Sequence, residues 1–334
     1  MDRELLTAKL KSALSVRADL FDERHESAFR LFNGFYEGYP NLALDVYART
    51  LVIHDYADPP KDGIPALDTA RDFLRSNLPW LRTVVLKTRH SPSPDERRGR
   101  VVEGETPDRK VREYGLWYAV DLTMNRDASL YLDTRNLRKW ALDNLDGKTV
   151  LNTFAYTGSL GVAATGGGAK RVLHLDLNRK FLNVAKTSYT LNGFPIVKSN
   201  FISSDFFPGI ARLKRNGDLF DCVFLDPPFF SSTPKGRVDQ VAEGKRLINK
   251  VRPLVVDGGW LVAVNNALFL SGQEYMTMLE ELCADGYLRV ESLIPVPEDF
   301  TGYTETRSGE YVTDPTPFNH PTKIVVLKVK RKPQ

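Results

Sequence analysis

Residues 149–161 read TVLNTFAYTGSLG, residues 171–176 RVLHLD and residues 220–230 FDCVFLDPPFF. Each opens on a short apolar run and closes on a polar or glycine-bearing turn. Runs of this length between turn residues predict strands buried on both faces. The same texture recurs in NFISSD (200–205), WLVAVN (260–265), LRVESLIPV (288–296) and KIVVLKV (323–329). Between the first five runs the period becomes helical. FLNVAKTSYTLNG (181–193) sets Phe181, Val184 and Ala185 on one face, with Gly193 as its C-cap. LINKVRPLVV (247–256) sets Leu247, Ile248, Val251, Leu254 and Val255 on one stripe. Ser271 with Glu274 forms a capping box ahead of Tyr275, Met278, Leu279 and Leu282. Strands alternating with helices predict an α/β fold, a mostly parallel seven-stranded sheet with helices on both faces. No helical pattern separates the last two runs, so they are expected to pair antiparallel at the sheet's edge.

An open sheet of this kind binds ligands outside the carboxyl ends of its strands. Asp176 closes the second run, Asp205 lies at the end of the third and Asp226 closes the fourth. A carboxylate after the second strand suits the two hydroxyls of a ribose, and Asp205 suits an adenine amino group. A single acid in such a place is as readily a helix cap; three in register favour a ligand. The first turn carries Gly158 and Gly161 but lacks G-x-G-x-x-G, so a pyrophosphate fits poorly and S-adenosylmethionine fits better. After Asp226, Pro227 and Pro228 hold the chain extended, with φ near about −65°. That presents the Asp226 carboxylate and the neighbouring carbonyls as rigid acceptors. Phe229 or Phe230 suits stacking on a flipped-out base; the plainer reading is a turn with two buried phenylalanines.

Outward from this core, the 334 residues suggest two domains. Apolar residues at 42% and charged residues at 26% exclude bulk disorder. No apolar run approaches the ~20 residues of a membrane span, and MDRELLTAKLKSALSV is not a secretory signal. Cys222 and Cys283 are too few for a disulfide framework or thiolate zinc cluster, and no metal-ligand cluster is apparent. A cytoplasmic protein without a metal or a membrane partner is expected. Residues 1–28 hold an amphipathic helix with Leu6, Leu10, Ala13 and Leu14 at helical spacing. Residues 29–127 read as a small α+β domain. There LALDVYARTLVIHDYA (42–57) is a hairpin, TARDFLRSNLP (69–79) a helix, WLRTVVLKTR (80–89) a strand and HSPSPDERRGRVVEGETPDRK (90–110) an exposed loop. Residues 128–334 are the catalytic domain. The net charge of +4 permits a polyanionic partner without requiring one. The cations from Arg82 to Arg112 are interleaved with acids and read either as a solvated loop or as a phosphate-contacting rim, together with Lys328, Lys330, Arg331 and Lys332. Residues 297–321, with Phe300, Tyr303, Tyr311 and Phe318, read either as a cover for the substrate cleft or as an irregular surface loop.

NTFAYTGSLGVAA (152–164), VLHLDLNRKFLNVAKTSYTLNG (172–193) and FDCVFLDPPFFSS (220–232) resemble the class I S-adenosylmethionine-dependent methyltransferases. More narrowly they resemble the bacterial 23S rRNA methyltransferases of the RlmI and RlmK group. The likeness extends through FRLFNGFYEGYPNLALDVY (29–47), EYGLWYAVDL (113–122) and SLYLDTRNLRKWA (129–141). It implies the Rossmann-like class I fold, S-adenosyl-L-methionine as cofactor, an RNA substrate recognised with the help of the small domain, and a homodimer as one possible assembly. It also implies that Asp133 and Arg135 border the methionine end of the cofactor, and that Asn152, Phe154, Tyr156, Gly158 and Ser159 form the first cofactor loop. Asp176 would hold the ribose, Asp205 with Phe206 the adenine side, and Asp226 with Pro227 the transfer site. Phe229 would stack on the base and Asn265 would orient a reactant; Asn265 is equally a structural residue at a strand end.

Two departures shape the expected chemistry. RlmI-type enzymes are similar to proteins with an N-terminal PUA domain, and fewer than thirty residues precede the matching segment here. RlmI-like cytosine-C5 enzymes also need a nucleophilic cysteine after the fifth strand, where this sequence has Asn265 and Asn266. Without a thiolate, C5 of a pyrimidine is a poor nucleophile. Direct transfer to a base nitrogen, with a guanine ring nitrogen favoured as in the RlmK type, is therefore expected. The alternatives are a methyltransferase of protein or small-molecule substrates and a non-catalytic RNA-binding assembly factor.

Overall fold

In the computed structural model, which describes residues 3–331, the chain folds as two units. One comprises the residues up to Leu132 with Pro297–Glu310, the other Asp133–Val296 with the residues from Tyr311 onward. These units do not coincide with the expected segments 1–28, 29–127 and 128–334, for two physical reasons. The helix Arg3–Val16 buries Leu6, Leu10 and Ala13 in one cluster with Phe29, Leu44, Val46 and Leu74, so it is part of the first unit's core. Pro297–Glu310 is bound to that unit by hydrogen bonds. The Asp299 carboxylate accepts the Arg30 N–H at 2.9 Å, and Asn33 Nδ2 donates to the Phe300 carbonyl at 2.7 Å.

In the first unit β1 (Ala28–Asn33), β2 (Leu42–Tyr47), β3 (Thr50–Asp55), β4 (Thr83–Thr88) and β5 (Arg100–Glu103) form a sheet in that order. All pairs are antiparallel except β3 with β4, which the helix Ile64–Asn77 connects. The expected hairpin is β2–β3. The expected exposed loop over 90–110 is exposed or half-buried apart from Ser91, but it is not irregular: it holds a short helix, Pro94–Arg98, capped by Ser93, then β5 and the start of a hairpin of β6 (Lys110–Glu113) and β7 (Leu116–Ala119). Cations in this segment and on its flanks are satisfied within the unit. Lys87 is fully buried and donates to the carbonyls of Arg98 and Asn125. Arg89 pairs with Asp127, Arg98 with Asp95 and Arg112 with Glu26, while Arg97 donates to the Ser91 and Pro92 carbonyls. These five cations are thus held within the unit.

The second unit is built on β8 (Thr149–Thr153), β9 (Arg171–Asp176), β10 (Phe201–Ser203), β11 (Phe220–Leu225), a side hairpin of β12 (Phe230–Thr233) and β13 (Gly236–Asp239), then β14 (Val255–Asn265), β15 (Leu288–Leu293) and β16 (Lys323–Val329). Seven strands form one sheet in the order β10-β9-β8-β11-β14-β16-β15. The first five in this order run parallel, and β16 pairs antiparallel with both β14 and β15, as the missing helical pattern predicts. The strand order reverses between β8 and β11, which defines the switch point where this architecture receives ligands. Leu151, Val223, Leu261 and Val325 are fully buried across the sheet, each contributing about 1.5–3 kcal/mol. The capping box of Ser271 and Glu274 starts the helix Gly272–Cys283. Near the chain end Lys328 lies over the Trp260 ring, and Arg331 donates to the Pro253 and Val255 carbonyls; Lys332 lies outside the described residues.

Candidate active site

The turn after β8 is the most constrained backbone of the second unit. Phe154, Tyr156 and Gly158 all take positive φ, at 51°, 50° and 77°. The first two are costly for side-chain-bearing residues, and such strain gathers at ligand sites. The neighbouring strand holds the turn: the Ala155 N–H donates to the Leu175 carbonyl (3.0 Å) and the Tyr156 N–H to Asp176 Oδ2 (2.8 Å). Gly158 then opens the helix Ser159–Gly166. A Cβ on Gly158 would lie 2.5 Å from Ala185 Cβ, and one on Gly161 2.2 Å from His174 Cε1. The end of the turn and the start of its helix therefore sit close against β9 and the helix Arg179–Leu191, where Gly158 and Gly161 carry no side chain.

Asp176 ends β9 half-buried, with a carboxyl pKa raised by burial against the opposing pull of its two backbone donors. Its Oδ1 accepts the Asn178 N–H at 2.7 Å, and each oxygen keeps a second lone pair for a ligand. The cap of the next helix is Asn178, whose side chain accepts from Lys180, so Asp176 is not spent as a cap. Asp205 differs. It caps the helix Phe206–Arg215 through the Phe207 N–H (3.0 Å), and its other oxygen accepts the Thr233 hydroxyl at 2.6 Å. Phe206 is buried and stacks on Phe154, with ring centroids 4.5 Å apart. Asn152 is buried inside β8, its amide 3.5 Å from His174 Nδ1. His174 is fully buried, which lowers its pKa to about 3 and keeps it neutral, and its Nε2 meets the Tyr189 hydroxyl at 3.1 Å.

Asp226, at the end of β11, is half-buried. Burial, with a smaller push from the Asp133 carboxylate, raises its pKa to about 7. Among the described residues its carboxylate has no hydrogen-bond partner. Asp133 accepts the Thr322 hydroxyl at 3.0 Å, and Arg135 opens the helix Arg135–Asn144. The plainer alternative for Phe229 and Phe230, a turn with two buried phenylalanines, is not met: they are 48% and 53% exposed. Asn265 is buried, its Oδ1 accepting the Ala267 N–H (3.0 Å) and its Nδ2 3.4 Å from the Gln240 carbonyl. It therefore does not face solvent at the strand ends. Three residues escaped the sequence reading: Thr233, Gln240 and Thr322. Each lies far along the chain from the residue it serves, in polar stretches with no periodic pattern to mark it. Among the described residues no group of three or more His, Cys, Asp or Glu side chains could hold a metal ion, and no helix is long and apolar enough to cross a membrane.

The residues present fit S-adenosylmethionine. A strained turn held close to β9, a strand-end acid with free lone pairs for ribose hydroxyls and an unpartnered acid at the switch point suit a nucleoside with a sulfonium arm. Residues 29–299 match the model of the S-adenosylmethionine-dependent methyltransferase family, and the chain belongs to that family. It is 30% identical over 303 residues to ribosomal RNA large subunit methyltransferase I of Aeromonas hydrophila subsp. hydrophila, covering 86% of this chain and 72% of that one. It is 28% identical over 343 residues to YwbD of Bacillus subtilis (strain 168), whose name places it among ribosomal RNA large subunit methyltransferases, covering 99% and 82%. The fold matches that of SMU.776, solved in complex with SAH, with a TM-score of 0.84 at 20% identity over 98% of this chain and 82% of the other.

Proposed function

We propose that this chain methylates a base nitrogen of large-subunit (23S) ribosomal RNA, a guanine ring nitrogen, by direct transfer without a covalent enzyme–RNA intermediate. The observation that carries the nitrogen target is the state of the two thiols. Cys222 is fully buried within β11 and its pKa is pushed up by burial and by Asp221; Cys283 ends the helix Gly272–Cys283 with its pKa raised by burial. Neither offers a thiolate at the carboxyl ends of the strands, so a carbon target that needs a cysteine adduct is unsupported. An RNA substrate is supported by the names of the relatives and by exposed apolar side chains beside the switch point. Phe229 and Phe230 follow β11, and Leu268 and Phe269, the latter 76% exposed, follow the adjacent β14. Aromatic faces in such a position suit an unstacked base.

When bound, S-adenosylmethionine supplies a methyl group already activated by its sulfonium. The chain's residues bind, orient and exclude water. Asp176 accepts the ribose hydroxyls on its free lone pairs. Asp133 and Arg135 border the methionine end, and the Phe154–Ser159 turn lies along the nucleoside. The Phe154–Phe206 stack walls the adenine side, and Asp205 supports that wall as a helix cap. The Asp226 carboxylate accepts N–H donors of the base and holds a ring nitrogen in line with the methyl group, while Phe229 stacks on the base. The test is methyl transfer from radiolabelled S-adenosylmethionine to total RNA of a strain deleted for this gene, followed by nucleoside analysis. Label in a methylguanine is the expected result. Label in 5-methylcytosine overturns the nitrogen target, and no label in RNA with calorimetric cofactor binding intact moves the substrate to a protein or small molecule.

A further inference from the structure

Pro227 and Pro228 carry no N–H, so the turn after Asp226 has almost no backbone donors with which to fix itself. Its carbonyls are fixed from outside, by one residue. Gln240 follows β13 and is buried, 3% exposed. Its Nε2 donates to the Pro227 carbonyl, and its backbone N–H donates to the Phe229 carbonyl at 3.1 Å. Its Oε1 accepts the Asn266 N–H at 2.8 Å, and its own carbonyl lies 3.4 Å from Asn265 Nδ2. One side chain and one peptide thus join the turn that ends β11 to the turn that ends β14. These turns carry Asp226 and Phe229 on one side and Asn265, Asn266 and Phe269 on the other.

We propose that Gln240 is a positioning residue for methyl transfer, acting through Asp226. By holding the Pro227 carbonyl it sets the peptide next to the Asp226 carboxylate, and by gripping Asn266 it keeps the two turns in register. The inference rests on the proposed function. Misplacement of a reacting group by about 1 Å costs roughly 10²-fold in rate, so a tie of this kind is expected to act on kcat rather than on cofactor affinity.

The test compares Gln240→Met, Asp226→Asn and the double variant with the wild type. Met is chosen over Ala because a void of about 20 Å³ already lies beside Gln240, Pro227 and Asn265, and truncation would enlarge it. Gln240→Met is expected to lower kcat for RNA methylation by about 10–100-fold, to leave the calorimetric Kd for S-adenosylmethionine within roughly twofold, and to speed hydrogen exchange at the Asn266 amide. The double variant should lose little more than Asp226→Asn alone, because the two residues act as one unit. A wild-type kcat in Gln240→Met overturns the proposal, and so do losses that simply multiply, since a purely structural role predicts those. If Gln240→Met fails to fold, Gln240→Glu keeps the shape and the Asn266 acceptor but loses the donor to Pro227, and the same comparisons apply. Wild-type enzyme that methylates no RNA overturns the functional reading, and this one with it.

Discussion

At the end of β11, the role proposed for Asp226 sets it two opposed demands. Accepting N–H donors from a base requires the ionised carboxylate, while burial and the Asp133 charge raise its pKa to about 7. In the free enzyme the competent form is half populated at a pH near 7 and gains population as pH rises through it, so kcat/KM for RNA methylation is expected to climb through that pH and level off about one unit above it. Asp226→Asn should lower kcat by about 10²-fold and remove this limb. Stability carries the same sign information. The folded-state pKa lies above the unfolded value of about 3.9, so the contribution of this group is fully present below pH ~4 and is lost as pH rises through 7. Asp226→Asn is accordingly expected to be more stable than the wild type at pH 8 and no more stable at pH 4, as read from denaturant melts. The opposite sign would mean that the carboxylate is held ionised by the fold. The thiols allow a second check. Replacing both Cys222 and Cys283 by Ala should leave methyl transfer within roughly twofold of wild type, because neither thiol has thiolate character or a place at the strand ends. A loss of a hundredfold or more would restore the cysteine mechanism.

Between neighbouring elements, the turn after β8 depends on what β9 places beneath it. His174 stacks on Phe201 with ring centroids 4.9 Å apart, and its Nε2 meets Tyr189, whose hydroxyl is 2.7 Å from Thr165 on the helix that begins at Ser159. The ring has little freedom to yield. Gly161→Ala, whose Cβ would meet that ring, is expected to cost about 1–3 kcal/mol and to weaken S-adenosylmethionine binding, measured by melts and calorimetry together. Asp205 marks the limit of reading such elements from sequence. The strands themselves were legible because an apolar run buried on both faces has few other uses, and the antiparallel edge followed from a missing helical period. A strand-end aspartate is ambiguous because the same carboxylate can cap a helix or hold a ligand, and only three-dimensional partners distinguish the two. Asp176 leaves capping to Asn178; Asp205 caps its own helix and takes the Thr233 hydroxyl. Asp205→Ala is therefore expected to cost about 1 kcal/mol of stability. Asp205→Asn, which can still cap, should retain most of it, and this contrast in denaturant melts separates capping from charge.

Across the whole chain, what escaped the sequence was set by long-range pairing rather than by local pattern. Residues 90–110 read as a polar loop because some of their charges find partners outside the window any periodicity inspects: Glu103 pairs with Arg75, and Asp108 accepts the Arg49 N–H and the Thr50 hydroxyl. Residues 297–310 read as part of an irregular stretch, yet the chain leaves the second unit there to complete the first. What holds this segment is a buried ion pair and its neighbours. Arg17 and Glu37, both essentially inaccessible, form two parallel hydrogen bonds of 2.9 Å, and Arg17 also donates to the Asp299 carbonyl at 3.2 Å. Glu37 further accepts the Asn33 N–H at 2.7 Å, next to the amide that holds Phe300. Removing one member of such a pair strands a buried charge, at a cost of about 3–5 kcal/mol. Glu37→Ala is expected to destabilise the first unit by that order and to free Pro297–Glu310 before the second unit opens. Limited trypsin digestion should then cut at Arg307 in the variant under conditions where the wild type resists, with calorimetric S-adenosylmethionine binding by the second unit retained. Glu37→Gln, which keeps an acceptor for Arg17 and for the Asn33 N–H, should fall between the two. Equal resistance of Glu37→Ala and wild type would mean that the segment is held without the ion pair, by the Arg30–Asp299 and Asn33–Phe300 hydrogen bonds and by those of the Ser308 and Gly309 N–H groups to the Tyr36 carbonyl at 2.8 and 3.0 Å.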